Sequence, residues 1–245
     1  MQNIYSISIS DVDLSGISAI MPNTQSNINF KQILESYTKY GLINGSNLAV
    51  DLFQIKPADI FISYSHLNKE KAYKIANYLM SLGLSVFLDY IVWSESDGLL
   101  RELDNQFCKN ADNMYDYDKR NRSTAHSHAI LSLALFKQIK SSTLLFVIND
   151  GSNIVSNVKN SIDSTLSPWI YEEVVFADEL IKIKRNLNED RSFFHSEPIP
   201  INYELPLGNY KKINSQKLLN FKNHCILSHK EINVSNLEEY LNGNN

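Results

Sequence analysis

The sequence has few cysteines and no long apolar run, and these absences exclude several classes of protein. Among its 245 residues only Cys108 and Cys225 are cysteines, and no C-x-x-C motif is present. A disulfide framework and a cysteine-based zinc site are therefore not expected. No apolar run approaches the roughly 20 residues of a membrane span, and MQNIYSISIS lacks the basic and apolar regions of a secretory signal. We expect a cytoplasmic protein with no membrane partner.

Basic residues are also too few to suggest a nucleic-acid partner. The chain carries 23 Lys and Arg against 27 Asp and Glu, a net charge of −4. It contains neither G-x-x-x-x-G-K-[ST] nor G-x-G-x-x-G, which argues against an ATPase or a Rossmann oxidoreductase. With 43% hydrophobic and 20% charged residues, the composition is that of a globular protein.

Strand and helix patterns alternate along the middle of the chain. The run ADIFISYS (58–65) is apolar enough for a strand buried on both faces. A helix from Asn68, which can cap it, to Gly83 and a strand over 84–89 complete a βαβ unit. Further elements are predicted, namely helices at 97–107, 127–142 and 168–183 and a strand at 143–150. The sequence predicts an α/β, flavodoxin-like fold with a central parallel sheet flanked by helices.

The two ends of the chain look different from this middle part. Residues 1–57 are predicted to form an N-terminal extension, with a short strand at IYSISIS and an amphipathic helix over 27–42. The main domain is predicted over 58–205, and its last strand, 197–205, contains two prolines that favour an edge position. Residues 206–245 are predicted to be helices that pack on this domain.

The stretch SPWIYEE places Trp169 four residues before Glu173. Residues four apart lie on one face of a helix, so the two side chains should project together, about 100° from the stripe of Ile170 and Val174. By spacing alone, a surface glutamate beside a core tryptophan is the more common explanation.

Three motifs, DIFISYSH, GLSVFLD and SPWIYEE, together resemble the TIR family in their order and spacing. The resemblance covers roughly Asp59 to Leu205. Catalytic TIR domains cleave the bond between nicotinamide and ribose in NAD, and the glutamate of their W-x-x-x-E pair is catalytic. The resemblance therefore implies that Glu173 is the catalytic residue, that Trp169 is a flat wall for the nicotinamide, and that NAD is a substrate with no separate cofactor.

The resemblance also implies partners. Standalone bacterial TIR proteins of this kind look like the signal-producing subunit of Thoeris anti-phage defence, which makes an ADP-ribose-derived signal for a separate effector protein. TIR domains self-associate, and a phage-derived trigger is a further expected partner. The acceptor of the ADP-ribosyl group stays open: water gives ADP-ribose, an internal adenine or hydroxyl gives a cyclic product, and an amino acid gives a conjugate.

The family's other site positions fall on two loops of this sequence. Ser65 and His66 follow the first strand of the main domain, where the resemblance implies contact with the substrate. Phe61 is a weaker candidate, because packing within the strand also accounts for it. Asp89 and Trp93 fall on the predicted loop after the second strand, which in the family meets a neighbouring subunit. An equally plausible prediction is that Trp93 packs onto its own domain.

His126 and His128 are the last candidates. Thr124 can cap a helix, which would place both histidines in its first turn, facing the pocket or solvent. A metal site there lacks a Glu or Cys ligand at the usual spacing, so no metal is expected.

Two alternatives to NAD cleavage remain. One is a non-catalytic TIR adaptor that acts by TIR–TIR assembly, for which no carboxylate is needed at position 173. The other is an enzyme similar to nucleoside deoxyribosyltransferases, which would need no diphosphate site.

Overall fold

The computed structural model describes residues 1–9, 14–20, 30–39, 42–43, 45, 48, 55–88, 90–151, 154–157, 162–165, 167–185 and 203–243. The chain divides into two compact units. The first, here called the sheet unit, comprises Met1–Pro22, Pro57–Leu88 and Ile139–Asn245. The second, the helical unit, comprises Asn23–Lys56 and Asp89–Gln138.

The described part of the chain contains both strands and helices. The strands are β1 (Asn3–Ser8), β2 (Thr38–Lys39), β3 (Leu42–Ile43), β4 (Ala58–Ser63), β5 (Val86–Leu88), β6 (Ser142–Ile148), β7 (Ile154–Asn157), β8 (Ile162–Thr165), β9 (Tyr203–Leu205) and β10 (Lys211–Asn214). The helices are α1 (Phe30–Tyr37), α2 (Lys69–Ser81), α3 (Tyr90–Phe107), α4 (Tyr117–Ser141), α5 (Pro168–Arg185), α6 (Ser215–Leu219), α7 (Phe221–Leu227) and α8 (Val234–Asn242).

A five-stranded parallel sheet, in the order β10-β1-β6-β4-β5, forms the core of the sheet unit. Almost every residue of β4 and β6 is buried, as strands covered on both faces require. The predicted α/β architecture, a central parallel sheet flanked by helices and consistent with a flavodoxin-like fold, is confirmed.

The order of the strands departs from the flavodoxin pattern in one respect. Counted from Ala58, the strands β5, β4 and β6 stand in the 2-1-3 arrangement of that fold. The fourth position, however, is filled by β1 from the N-terminus, and β10 takes the fifth. A strand from the start of the chain therefore completes a sheet whose other strands come later.

The prediction that residues 1–57 form an extension is wrong for β1. This strand pairs with β6 on one side and β10 on the other, and Ile4, Tyr5 and Ile7 are fully buried. Alternation with serine suggested that one face meets water, but Ser6 is small enough to be buried as well. Of the helix predicted over 27–42, Phe30–Tyr37 is helical as α1, whereas Thr38–Lys39 and Leu42–Ile43 are strands. Helix α1 lies in the helical unit, not the sheet unit.

The C-terminal boundary also differs from the prediction. Tyr203–Leu205 pairs antiparallel with β8 in a separate sheet of order β7-β8-β9, so it is not an edge strand of the central sheet. Residues 197–202 lie outside the described part of the chain. Residues 206–245 contain helices, as predicted, here α6 to α8, and they also contribute β10 to the central sheet. They are therefore part of the sheet unit's core.

Helix α2 ends as predicted, at a glycine. Gly83 has φ +86°, which residues with a Cβ adopt at a cost. Its N–H donates to Met80 O at 2.9 Å, and Leu84 N–H donates to Leu79 O at 3.2 Å. These two bonds form a Schellman motif that satisfies the last carbonyls of the helix.

Two segments outside the predicted helices, 90–96 and 117–126, are helical. Residues Tyr90–Phe107 form one helix, so the backbone of Trp93 is helical and not part of a loop; Asp89 lies outside the described residues. Helix α4 starts at Tyr117 because Asp116 Oδ1 accepts a hydrogen bond from Lys119 N at 2.9 Å and caps it. Thr124 is therefore not a cap: its hydroxyl donates to Arg120 O, one turn back, at 2.9 Å.

Candidate functional site

The strand order places a crevice between β4 and β6 in the sheet unit. From β4 the chain continues to β5 on one side, and from β6 it continues, through α5, to β10 on the other. This reversal is a topological switch point, and open α/β sheets bind ligands at the carboxyl ends of the strands at such a point.

Three polar side chains connect the carboxyl ends of these two strands. Asn68 Nδ2 donates to Asp150 Oδ1 at 3.0 Å, and Lys71 Nζ donates to Asp150 Oδ2 at 3.4 Å. Asn68 is buried, and no donor among the described residues reaches its Oδ1. We call Asn68, Lys71 and Asp150 the switch-point cluster. It holds a cation, an amide and a carboxylate where the topology favours a polar ligand.

The predicted capping role of Asn68 is wrong, since its side chain makes no cap hydrogen bond. Its amide instead ties the turn after β4 to the turn after β6. Sequence reasoning did not select Lys71 or Asp150 as site residues. Asp150 carried a usable signal, because it lies two residues after a buried apolar strand whose carboxyl end faces the ligand edge.

The turn after β4 contains two of the predicted site residues. Ser65 is half-buried and extended, and its carbonyl accepts from Asn68 N at 2.9 Å. His66 is exposed at the start of the following 3₁₀ turn, so it lies at the surface beside the switch-point cluster. Phe61 has no exposed surface and stacks on Phe87 with ring centroids 5.3 Å apart. In this conformation Phe61 packs the sheet and does not contact a ligand.

Helix α5 begins where the sequence predicts. Ser167 is its cap: Oγ accepts from Ile170 N at 3.3 Å, and the carbonyl accepts from Tyr171 N at 3.1 Å. Pro168 occupies the first helical position, where its missing N–H is not needed. This start places Trp169 in the first turn and Glu173 in the second.

Glu173 faces the core. Its exposed fraction is 0%, and it belongs to one buried stripe with Ile170, Val174 and Ala177. Trp169 is only partly buried. The prediction that Glu173 projects away from the apolar stripe is therefore wrong, because the buried face of α5 is wide enough to include position 173. Solvent does not reach this carboxylate in the conformation described.

A fully buried glutamate is an uncommon choice for a helix that packs on a sheet. Burial of an ionised carboxylate costs several kcal/mol unless hydrogen bonds or a proton compensate for it. A leucine or methionine would fill the same volume without that cost. The position therefore suggests that the carboxyl group has a role besides packing.

Helix α5 lies over a different part of the sheet from the switch point. It packs against β1, β8 and β9, whereas Ser65 and His66 follow β4. Strands β1 and β4 are two places apart in the sheet, with β6 between them, so their axes are roughly 10 Å apart. Glu173 and the switch-point cluster thus belong to one unit but to neighbouring parts of it.

The remaining predicted residues lie in the helical unit. His126 and His128 are exposed near the middle of α4, not in its first turn. Two residues apart on a helix, they point in directions about 200° apart and cannot act as a pair. Among the described residues, no group of three or more His, Cys, Asp and Glu side chains is placed to hold a metal ion.

Comparisons with protein-family models, with curated proteins and with solved structures each found no match for this chain. Of the helices that the structure describes, none is long and apolar enough to cross a membrane.

Proposed function

We propose that this protein is a TIR-type NAD-cleaving enzyme that makes an ADP-ribose-derived signal in bacterial antiviral defence. The observation that carries the proposal is Glu173, a fully buried carboxylate on the helix that carries the W-x-x-x-E pair. The switch-point crevice in the same parallel sheet supports it.

The chemistry requires one carboxylate. Cleavage breaks the bond between C1′ of the ribose and the pyridinium nitrogen, and the bonding electrons leave with nicotinamide. Because the pyridinium is already cationic, it leaves as a neutral molecule without a general acid. The ribose becomes oxocarbenium-like, and the Glu173 carboxylate stabilises the developing positive charge. An acceptor hydroxyl, amine or ring nitrogen then bonds to C1′, and any acceptor proton is released.

The switch-point cluster supplies the polar contacts for the rest of the substrate in this proposal. Lys71 offers a cation to the diphosphate, and Asp150 offers acceptors to ribose hydroxyls. Ser65 and His66 border the same turn. A nucleoside has no phosphate for the Lys71 cation to contact, so this cation favours NAD over the nucleoside substrates of deoxyribosyltransferase-like enzymes.

Because Glu173 is buried, the proposed reaction requires a change of conformation. Substrate contacts this carboxylate only after the segments around α5 rearrange, so the isolated chain is proposed to be latent. TIR–TIR self-association or a phage-derived trigger would expose the site, and a separate effector protein would sense the product. In this account the signal is made in the cytoplasm, where NAD is present.

The same burial favours a second candidate, a non-catalytic TIR adaptor that acts by assembly alone. In that case Glu173 would only pack or accept internal hydrogen bonds, and no product would form under any condition.

The test is to incubate the purified chain with NAD, alone and with lysate of phage-infected cells, and to measure nicotinamide by chromatography. Three proteins are compared: wild type, Glu173→Gln, and Glu172→Gln as the matched control on the same helix turn. Without the lysate we expect no release by any of the three proteins. With the lysate we expect release by wild type and Glu172→Gln and none by Glu173→Gln, with matching far-UV circular dichroism for all three purified proteins. Equal release by all three would exclude Glu173 as the catalytic residue. Base exchange on nucleosides without NAD cleavage would favour the deoxyribosyltransferase-like alternative.

A further inference from the structure

The helical unit contains a cavity of about 590 Å³ that the proposed function does not use. Its volume is within the range of roughly 300–1,000 Å³ that small-molecule sites occupy. Its apolar wall includes Leu103 and Phe107 from α3 and Ile130 and Leu133 from α4. Three basic side chains also line it, so the cavity is not simply a packing defect between helices.

The basic and apolar groups are separated along one face of α4. Lys119, Arg122, His126, Ile130 and Leu133 follow one another at spacings of three or four residues, which keeps them on one side of the helix. The first three are basic and the last two are apolar. From Lys119 to Leu133 the helix rises about 21 Å. The cavity therefore has a basic end and an apolar end.

A buried acidic group beside the basic end is already engaged. Asp104 is buried, accepts from Arg120 Nε at 2.9 Å and also accepts from the hydroxyl of Ser123. Lys119 and Arg122 are exposed, and within the described residues neither side chain forms an ion pair. The basic end thus presents two cations that no ion pair within the described residues neutralises.

We infer that this cavity binds a small amphipathic anion, with one carboxylate, phosphate or sulfonate head and an apolar body. Lys119 and Arg122 contact the head, since charge-assisted hydrogen bonds to an anion are the strong contacts that they can make. Leu103, Ile130 and Leu133 contact the body. The site is distinct from the switch-point cluster and from Glu173. The inference therefore does not depend on whether the chain cleaves NAD.

The test is a fluorescence titration of the full chain with 8-anilinonaphthalene-1-sulfonate, an anionic dye of this chemistry. N-phenyl-1-naphthylamine, which has the same ring system without the sulfonate, is the uncharged comparison. The double variant Lys119→Gln, Arg122→Gln removes the basic end. Arg101→Gln removes one positive charge from an exposed position of α3 outside the cavity. Ala129→Trp fills the cavity from an exposed helical position that lines it.

We expect saturable binding of one sulfonate dye per chain. The double variant should bind the sulfonate dye about tenfold more weakly, while its affinity for the neutral dye should change less than about twofold, because the two cations recognise only the head. Arg101→Gln should bind both dyes like wild type, and Ala129→Trp should bind neither dye. Absence of saturable binding, equal weakening of both dyes by the double variant, or unchanged binding to Ala129→Trp would each overturn the assignment.

Cysteine alkylation gives a second readout that does not depend on dye fluorescence. Cys108 lines the cavity, whereas Cys225 lies in the sheet unit, and both are buried. Saturating dye should slow alkylation of Cys108 at least several-fold and leave Cys225 unchanged, as followed by mass spectrometry of the peptides. Equal protection of both thiols would show a general effect on the fold and would contradict a ligand in this cavity.

Discussion

Replacing Ile7 with alanine tests the finding that β1 is an internal strand of the central sheet. Ile7 is fully buried and stands in register with Ile148 of β6 and Ile213 of β10. Truncation of a buried isoleucine to alanine costs about 2–5 kcal/mol, since transfer and cavity terms add. With a urea dependence of about 3 kcal/mol per M for a chain of this size, the unfolding midpoint should fall by roughly 1 M.

Ile20→Ala is the matched control, because Ile20 is the same residue type in the same unit and is 77% exposed. Its midpoint should stay within about 0.2 M of wild type, as surface substitutions rarely exceed 0.5 kcal/mol. The assay is urea unfolding followed by far-UV circular dichroism. If Ile7→Ala and Ile20→Ala unfolded at the same urea concentration, β1 would not be part of the core, and the strand order given above would be refuted.

Three further predictions concern stability. Asp104→Asn should lower the free energy of unfolding by about 1–3 kcal/mol, because it leaves the buried Ser123 hydroxyl and the exposed Arg120 guanidinium without a charged acceptor. Asp112→Asn in the exposed turn should change it little, and thermal unfolding compares the two variants. Gly83→Ala should cost about 1–2 kcal/mol by the same measurement, owing to its positive φ. Burial raises the pKa of the Cys108 and Cys225 thiols above the unfolded value of about 8.5. The stability that this shift contributes is complete below about pH 8.5 and is lost as the pH rises through the folded-state pKa. The double alanine variant should therefore lose less stability between neutral and alkaline pH than wild type, and an equal loss would contradict this explanation.

The part of the fold that the sequence predicted depends on local signals. The continuous apolar runs of β4 and β6, the stripe and terminal glycine of α2, and the Ser-Pro start of α5 each specify an element within about ten residues. A βαβ pattern of this kind also fixes the parallel direction of the strands. The predictions of these elements were correct because few alternative packings satisfy the local signals.

The place of β1 was not predictable in the same way. Its serines resemble the solvent-facing residues of a half-exposed strand, and only tertiary packing shows that Ser6 is buried. Its partners, β6 and β10, lie more than 130 and 200 residues away in sequence. Local patterns carry no information about pairing over such distances.

The candidate site was predicted in part. The spacing of Trp169 and Glu173 and the start of their helix could be predicted, but the direction of Glu173 could not, because it depends on how wide a face of α5 the sheet and β9 cover. Likewise, the Asn68 and Asp150 contact joins two turns that the sequence separates by 82 residues. Each residue was polar at a strand end, yet only the strand order brings them together.

The most direct test of the central claim is the measurement of nicotinamide release and its companion product in lysates of phage-infected cells that express the chain. Mass spectrometry would compare wild type, Glu173→Gln and Glu172→Gln, with uninfected lysates as the reference for the latent state. The proposal predicts an ADP-ribose-derived product after infection with wild type and Glu172→Gln, and none with Glu173→Gln. Absence of any such product with all three proteins, at equal expression, would contradict NAD cleavage and leave the adaptor.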